Sequence, residues 1–129
     1  MPRYLHTSIF VNDMAESIAF YTEALGLKLL DGPLHYPGNA DMAFVGADWN
    51  AYIELVYDLE EHEPYALGNR YEHLAIEADG PLEPLMEELK RKGVKVIKDI
   101  KRSPGGTRAI AFIEDPNGIP VELLEKRER

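Results

Sequence analysis

The chain has 129 residues, no cysteine and a formal net charge of −9. This length fits one domain with a real hydrophobic core, and the absence of cysteine excludes disulfides, thiolate catalysis and thiolate metal ligands. Because the chain has 23 acidic residues and only 14 basic ones, binding to nucleic acid or anionic membranes is not expected. The sequence shows no signal-peptide pattern and no apolar run that could span a bilayer, so a cytoplasmic protein is expected.

The first half of the chain is predicted to fold as a strand, a helix and three further strands. Alternation over residues 5–11 predicts the first strand. Asp13 is the expected N-cap of a helix over 14–25, with Glu16 completing a capping box and Gly26 ending the helix. Further strands are predicted over 28–30, 41–45 and 51–57. The helical face expected to pack on the sheet comprises Ile18, Tyr21, Ala24 and Leu25.

Residues 58–71 are predicted to be a linker, because they carry Pro64, Gly68 and Asn69 without helical or strand periodicity. The second half then repeats the order of the first. A strand is expected over 73–78, and a helix over 82–92 ends at Gly93. Its apolar face comprises Leu85, Met86 and Leu89. Further strands are expected over 94–100, 107–113 and 120–125, with a loop at Pro104-Gly105-Gly106 and a tight turn at Asp115-Pro116-Asn117-Gly118.

The two halves are copies of one pattern. His6 and His73 lie 67 residues apart, as do Gly26 and Gly93, while Glu54 and Glu122 lie 68 apart. The sequence therefore predicts an α+β chain, a single domain of two modules over about 1–57 and 72–126 joined by the linker 58–71. Four strands are too few to close a cavity, so modules must pair, within one chain or between chains.

Two histidines in first strands and two glutamates in last strands occupy matching positions of the repeat. The apolar neighbours of each glutamate alternate to the other face of its strand, and a carboxylate directed inward is costly unless it is paired or binds a metal. Two imidazoles and two carboxylates suit Zn²⁺, Ni²⁺, Co²⁺, Mn²⁺ or Fe²⁺. His35 and His62 lack repeat partners and are placed in loops, without a ligand role. The predicted metal ligands are His6, Glu54, His73 and Glu122.

Several motifs together carry a family resemblance. They are Leu5-His6-Thr7, the segment Phe20 to Leu29, Ala43-Phe44-Val45-Gly46, Ile53-Glu54-Leu55, Tyr71-Glu72-His73, the segment Ala111 to Gly118, and Val121-Glu122-Leu123. These residues resemble the glyoxalase I family (lactoylglutathione lyases) of the vicinal oxygen chelate superfamily, over nearly the whole chain. Glu54 matches the residue that the short bacterial members hold at the second ligand position.

The resemblance implies paired βαβββ modules of the glyoxalase/bleomycin resistance/dioxygenase fold, with barrel-like sheets formed in a homodimer. His6 and Glu54 of one chain would meet His73 and Glu122 of the other around each metal. The compact length resembles the class activated by Ni²⁺ or Co²⁺, while the residues alone leave Zn²⁺ open. They equally leave open whether modules pair within a chain.

The implied reaction is isomerisation of the hemithioacetal of methylglyoxal and glutathione to S-lactoylglutathione, which detoxifies methylglyoxal. A divalent metal is needed to stabilise the enediolate oxygens while a base moves the proton. The resemblance implies Glu122 as that base and Glu54 as its partner on the opposite face, both also in the metal shell.

Three positions depart from the pattern of glutathione-using members. Phe10, Asp58 and Pro104 stand where an arginine, an asparagine and a lysine are common. Another thiol adduct or small carbonyl substrate is therefore an alternative to glutathione. The residues that could compensate by binding the carboxylates of the tripeptide are Lys101, Arg70, Arg102 and Arg108.

Three other classes within the superfamily are further alternatives. An epimerase acting on methylmalonyl-CoA resembles a pattern with Gln at the second ligand position, so Glu54 counts against it. An extradiol-type dioxygenase needs two histidines and one carboxylate on Fe²⁺, so the fourth ligand argues against that class. A non-enzymatic drug-binding member needs no metal.

Overall fold

Each half of the chain forms one four-stranded sheet. The computed structural model describes residues 1–36, 38–102 and 108–126, and the chain divides into two compact units, Met1–Ala66 and Leu67–Arg129. The predicted α+β class is confirmed. The predicted loop at Pro104-Gly105-Gly106 lies outside the described residues. Within the described ranges, no helix is long and apolar enough to cross a membrane.

The first unit carries four strands and one helix. They are β1 (His6–Phe10), α1 (Met14–Ala19, continuing as a π-helical segment over Phe20–Ala24), β2 (Lys28–Tyr36), β3 (Ala40–Asp48) and β4 (Ala51–Asp58). The predicted cap is confirmed, since the Asp13 carboxylate accepts a hydrogen bond from the Glu16 amide at 2.9 Å. Gly26 follows the helix with φ of 84°, a conformation that favours glycine.

The predicted single α-helix over 14–25 is wrong in its last turn. The Thr22 hydroxyl donates to the Ile18 carbonyl at 2.7 Å, and the Leu25 amide donates to the Phe20 carbonyl, five residues back, at 3.0 Å. A threonine that bonds back to the preceding turn bends a helix, and a five-residue hydrogen bond defines the π form. Tyr21 nevertheless packs into the core with no exposed surface.

Strand β1 runs parallel to β4, and the sheet order β1-β4-β3-β2 makes β2 an edge strand. In the β1–β4 pairing, His6 lies opposite Tyr52 and Ser8 lies opposite Glu54. Because side chains alternate along a strand, these four residues share one face. Residues Ile53 and Leu55 are buried on the other face, as the alternation predicted.

The second unit repeats this topology. Its elements are β5 (Leu74–Glu77), α2 (Leu82–Arg91), β6 (Val96–Arg102), β7 (Ala109–Glu114) and β8 (Pro120–Leu124), in the order β5-β8-β7-β6. Strand β5 runs parallel to β8 with Ala75 opposite Glu122. His73 was predicted inside the first strand of this unit, but β5 begins one residue later. The predicted turn after β7 is confirmed by a hydrogen bond from the Gly118 amide to the Asp115 carbonyl at 3.1 Å.

Each unit has its own core. Helix α2 buries Leu82, Met86 and Leu89, so the predicted face is correct except that Leu82 takes the buried place expected for Leu85. Leu82 and Met86 are four residues apart and so lie on one face of the helix. The fully buried strand residues of the two units are Ala43, Val45 and Leu55 in the first, and Ala109, Ala111, Ile113, Val121 and Leu123 in the second.

Candidate metal centre

The first predicted ligand pair comes together on the sheet of the first unit. The His6 Nε2 atom lies 3.6 Å from the Glu54 Oε2 atom, and the two side chains are 31% and 16% exposed. This distance is too long for a hydrogen bond. Two neighbouring ligands bound at about 2.0–2.2 Å to one ion lie about 2.8–3.6 Å apart, the longer distances belonging to tetrahedral geometry and the shorter ones to octahedral geometry. The pair is therefore spaced as two neighbouring ligands of one metal ion.

Neighbouring side chains hold this pair in place. The Ser8 hydroxyl donates to the Glu54 Oε1 atom at 2.8 Å, which leaves the Oε2 atom facing His6. The His6 ring stacks on Tyr52 with centroids 4.9 Å apart. The His6 Nδ1 atom is buried without a hydrogen-bond partner among the described residues. Among the described residues, neither imidazole nitrogen of His6 has a hydrogen-bond partner, and the Nε2 atom that faces Glu54 can therefore act as a metal ligand.

The second predicted pair has the same geometry in the second unit. The His73 Nε2 atom lies 3.6 Å from the Glu122 Oε1 atom, with the side chains 26% and 18% exposed. The His73 Nδ1 atom makes a 3.0 Å hydrogen bond with the Glu72 carboxylate. The ring also packs edge-on against Phe112, with centroids 5.3 Å apart. A carboxylate on the outer nitrogen is the partner that metal-binding histidines commonly have.

The structure therefore brings the four predicted ligands together as two pairs. Among the described residues, no group of three or more histidines and carboxylates lies close enough to hold a metal ion. Each pair alone supplies one imidazole and one carboxylate, which is half of a four-ligand set. A centre that contains all four residues remains a prediction.

The two other histidines have local partners. His35 was placed in a loop, but it lies in β2 and its Nδ1 atom is 3.0 Å from an oxygen of Asp41. Strand β2 continues through this residue because β3 pairs with it there. His62 lies outside the strands, as expected, and its ring stacks on Tyr65 with centroids 4.3 Å apart.

Phe10, the first of the three positions that the sequence analysis set apart, belongs to an aromatic stack. Phe10, which is 53% exposed, stacks on Tyr65 with centroids 5.0 Å apart and planes 8° apart. Burial raises the pKa of the Tyr65 hydroxyl, and the nearby negative charge of Asp58 raises it further. This part of the first unit is thus aromatic and acidic.

Two of the arginines proposed to bind a tripeptide already have carboxylate partners in their own unit. Arg102 contacts Glu83 at 3.0 Å and Glu125 at 3.2 Å. Arg108 contacts Glu77 at 3.1 Å and donates to the backbone carbonyl of Glu125 at 2.9 Å. These contacts therefore give both arginines a role in stabilising the fold of the second unit.

Three residues that support the ligand pairs were missed by the sequence reasoning. Ser8 follows His6 by two residues, so strand alternation puts both on one face, and this signal was available. Tyr52 precedes Glu54 by the same interval. Glu72 is adjacent to His73, and no periodicity predicts that its carboxylate folds back onto the ring.

Comparison with known proteins places this geometry in a family. The model of the Glyoxalase/Bleomycin resistance protein/Dioxygenase superfamily matches residues 3–123. The lactoylglutathione lyase of Salmonella typhimurium is 39% identical over 129 residues, covering 98% of this chain and 94% of that protein. That of Neisseria meningitidis serogroup B is 37% identical over 128 residues, covering 97% and 91%.

Solved structures of glyoxalase I proteins superpose on this chain. The glyoxalase I of Zea mays superposes with a TM-score of 0.85 at 31% identity over 98% of this chain, which spans 45% of the maize protein's length. The trypanothione-dependent glyoxalase I of Leishmania major superposes with a TM-score of 0.80 at 31% identity, covering 97% of this chain and 87% of that one. The chain therefore belongs to the Glyoxalase/Bleomycin resistance protein/Dioxygenase superfamily.

Proposed function

We propose that this protein is a metal-dependent glyoxalase I, a lactoylglutathione lyase that isomerises the hemithioacetal of methylglyoxal and glutathione to S-lactoylglutathione. The observation that carries the proposal is the pair of His–Glu contacts, both 3.6 Å long and both at repeat positions. Lactoylglutathione lyases that match nearly the whole chain at 37–39% identity support it over the epimerase, dioxygenase and drug-binding alternatives.

The residues that would hold the metal are His6, Glu54, His73 and Glu122. Two nitrogens and two carboxylate oxygens suit Ni²⁺ or Co²⁺, with Zn²⁺ as the alternative. The bound ion supplies Lewis-acid stabilisation of the negative charge that develops on the substrate oxygens. The non-bonding distance between the Nε2 atom and the facing carboxylate oxygen in each pair supports this role.

The proposed unit of function is a homodimer. In it, the His6–Glu54 pair of one chain meets the His73–Glu122 pair of the other, which gives two sites related by symmetry. The proposal is supported by the division of the ligands into two half-sets, one on each compact unit.

Complementation between inactive variants tests this pairing. His6→Ala and His73→Ala each remove a ligand from every site of their own homodimer. When the two are refolded together in equal amounts, about half of the dimers are mixed, and each mixed dimer has one intact site, so about a quarter of the wild-type turnover and metal content returns. No recovery would reject pairing between chains. A mixture of His6→Ala with Glu54→Ala is the matched control, since both changes lie in the same half-site.

Glu122 is the proposed general base. Its carboxylate accepts the proton from the carbon that bears the sulfur, which is acidified by the adjacent carbonyl, and returns it to the neighbouring carbon, so that the isomerisation releases no proton. In this proposal, Glu54 would lie on the opposite face of the substrate. Both side chains are largely buried, at 18% and 16% exposure, and burial shields the transferred proton from bulk water.

Removing the base without removing the metal tests its role. Glu122→Gln keeps an oxygen at the ligand position but lowers basicity, so turnover should fall by about 10²–10⁴-fold while much of the metal remains. Elemental analysis and thioester formation report the two quantities separately. Turnover at the wild-type rate with full metal content would reject Glu122 as the base.

The identity of the thiol is the least constrained part of the proposal. Phe10 and Asp58 offer an aromatic ring and an acid where a cation and an amide would favour glutathione. The Leishmania major relative is described as trypanothione-dependent, which supports variation of the thiol within this fold. Thioester formation from methylglyoxal with glutathione, trypanothione, bacillithiol and free cysteine compares the candidates. Bound metal without activity toward any of these thiols would reject the glyoxalase function.

A further inference from the structure

We propose that Ser8 is a positioning residue that fixes Glu54 as a permanent metal ligand, and that alanine at the equivalent position, 75, leaves Glu122 free to move and accept the substrate proton. The inference rests on the proposed function, because it assigns different roles to the two carboxylates of that site. Glu54 and Glu122 occupy equivalent positions of the repeat, and the difference between Ser8 and Ala75 makes Glu122 the base.

The two strand pairings are matched at this position. Ser8 lies opposite Glu54 in the parallel pairing of β1 with β4, and Ala75 lies opposite Glu122 in the parallel pairing of β5 with β8. The Ser8 hydroxyl donates to Glu54 at 2.8 Å. Ala75 has no donor in its side chain. Within the described ranges, no side chain donates a hydrogen bond to the Glu122 carboxylate.

The histidines show the opposite asymmetry. The outer nitrogen of His73 is held by the Glu72 carboxylate at 3.0 Å, whereas the outer nitrogen of His6 has no partner among the described residues. The first half-site therefore anchors its carboxylate, and the second anchors its imidazole. Because outer hydrogen bonds fix the orientation of a ligand, the structure assigns Glu54 and His73 as the rigid ligands.

This arrangement decides which carboxylate can act as the base. A hydrogen bond to a charged carboxylate is about twice as strong as one between neutral groups, and Glu54 must break it to turn toward a proton. In the part of the chain that the structure describes, the Glu122 carboxylate has no such bond to break. The hydroxyl of Ser8 thus keeps Glu54 in place and directs proton transfer to Glu122.

Reciprocal variants of the full chain test the proposal. Ser8→Ala removes the hydroxyl, Ser8→Thr restores it, and Ala75→Ser adds a hydroxyl at the matched position, where the exposed alanine leaves room. The first measurement is Co²⁺ affinity by competition with a chromogenic chelator, together with the visible absorption of bound Co²⁺. The second is the separation of kcat from KM in thioester formation.

We expect Ser8→Ala to bind Co²⁺ about 10- to 100-fold more weakly, with an altered Co²⁺ spectrum, and Ser8→Thr to recover affinity and spectrum. Ala75→Ser should bind Co²⁺ at least as tightly as the wild type, while kcat falls about 10-fold at constant KM because Glu122 is now held. Unchanged Co²⁺ affinity in Ser8→Ala, or unchanged kcat in Ala75→Ser, would overturn the proposal.

A different result would reject the proposed function, namely that the wild type forms no thioester with any thiol. In that case the Co²⁺ affinities still decide whether Ser8 positions Glu54, because they require no turnover.

Discussion

Replacing Glu125 by alanine should destabilise the second unit more than any exposed acidic substitution. The Glu125 carboxylate accepts hydrogen bonds from the Leu82 amide at 3.1 Å, the Ala109 amide at 3.3 Å and the Arg102 guanidinium at 3.2 Å. Leu82 begins α2, whose N-cap residue, Pro81, provides no side-chain cap. Glu125 therefore joins the helix to the end of the strand that carries Glu122.

The size of the expected loss of stability follows from the two backbone donors. Leu82 and Ala109 are both fully buried residues, so water does not readily replace the lost carboxylate. Each buried donor left without an acceptor costs about 1–3 kcal/mol, which gives about 2–6 kcal/mol for Glu125→Ala. Glu83→Gln is the matched control, because Glu83 pairs with the same arginine but is 55% exposed, and an exposed ion pair contributes about 0.2–1 kcal/mol.

The effect should depend on pH. The hydrogen bond from the Leu82 amide, followed by that from the Ala109 amide and by Arg102, holds the pKa of Glu125 below its ordinary value of 4.5. The folded pKa is therefore lower than the unfolded one, so the carboxylate contributes its full stability above the unfolded value, and this contribution is lost as the pH falls through the folded pKa.

Urea unfolding followed by far-UV circular dichroism measures these differences. The gap between wild type and Glu125→Ala should be largest near neutral pH and should narrow in acid, while Glu83→Gln stays close to the wild type. The reasoning is refuted if Glu125→Ala and Glu83→Gln unfold at the same urea concentration, or if the gap does not change with pH.

Two further predictions concern the fold and the substrate. Gly32→Ala would place a methyl 2.5 Å from the Met42 carbonyl oxygen, whereas the methyl of Gly26→Ala, at a similar positive φ, meets nothing within 4 Å. Both variants lose about 1–2 kcal/mol of stability to backbone strain. Because only Gly32→Ala adds a steric clash, its urea midpoint should fall clearly further. Phe10→Arg should lower KM several-fold for the glutathione adduct, because a guanidinium can bind its carboxylates, and should leave KM for the uncharged 2-mercaptoethanol adduct unchanged. Equal urea midpoints, or equal KM changes for both thiols, would contradict these expectations.

The sequence predicted most elements because their periodicity follows from burial. Strand β4 and helix α2 alternate or repeat with one apolar face, and both ended within one residue of the expected positions. The pairing of His6 with Glu54 was predictable for another reason. A histidine and a glutamate occur at the same positions in both copies of the repeat, and alternation along a strand does not account for such a recurrence.

The full extent of strand β2 and the contacts around the ligand pairs could not be predicted from the sequence, because they depend on which strands pair and in which register. Strand β2 was expected to end at residue 30, but register shifts on either side of Asp31 let it continue past Pro33 to Tyr36. Proline is tolerated there because β2 is an edge strand, and the edge is known only once the strand order is known. The contact of Ser8 with Glu54 likewise requires the register of β1 on β4.

The central claim is that the His–Glu pairs form a metal site that isomerises a hemithioacetal. Its most direct test is thioester formation from methylglyoxal and glutathione by metal-stripped protein, before and after addition of Ni²⁺, Co²⁺ or Zn²⁺, with the bound metal counted. We predict no formation above background without metal, and recovery as about one ion binds per chain. Equal rates with and without metal, or a bound ion without thioester from any thiol, would contradict the account.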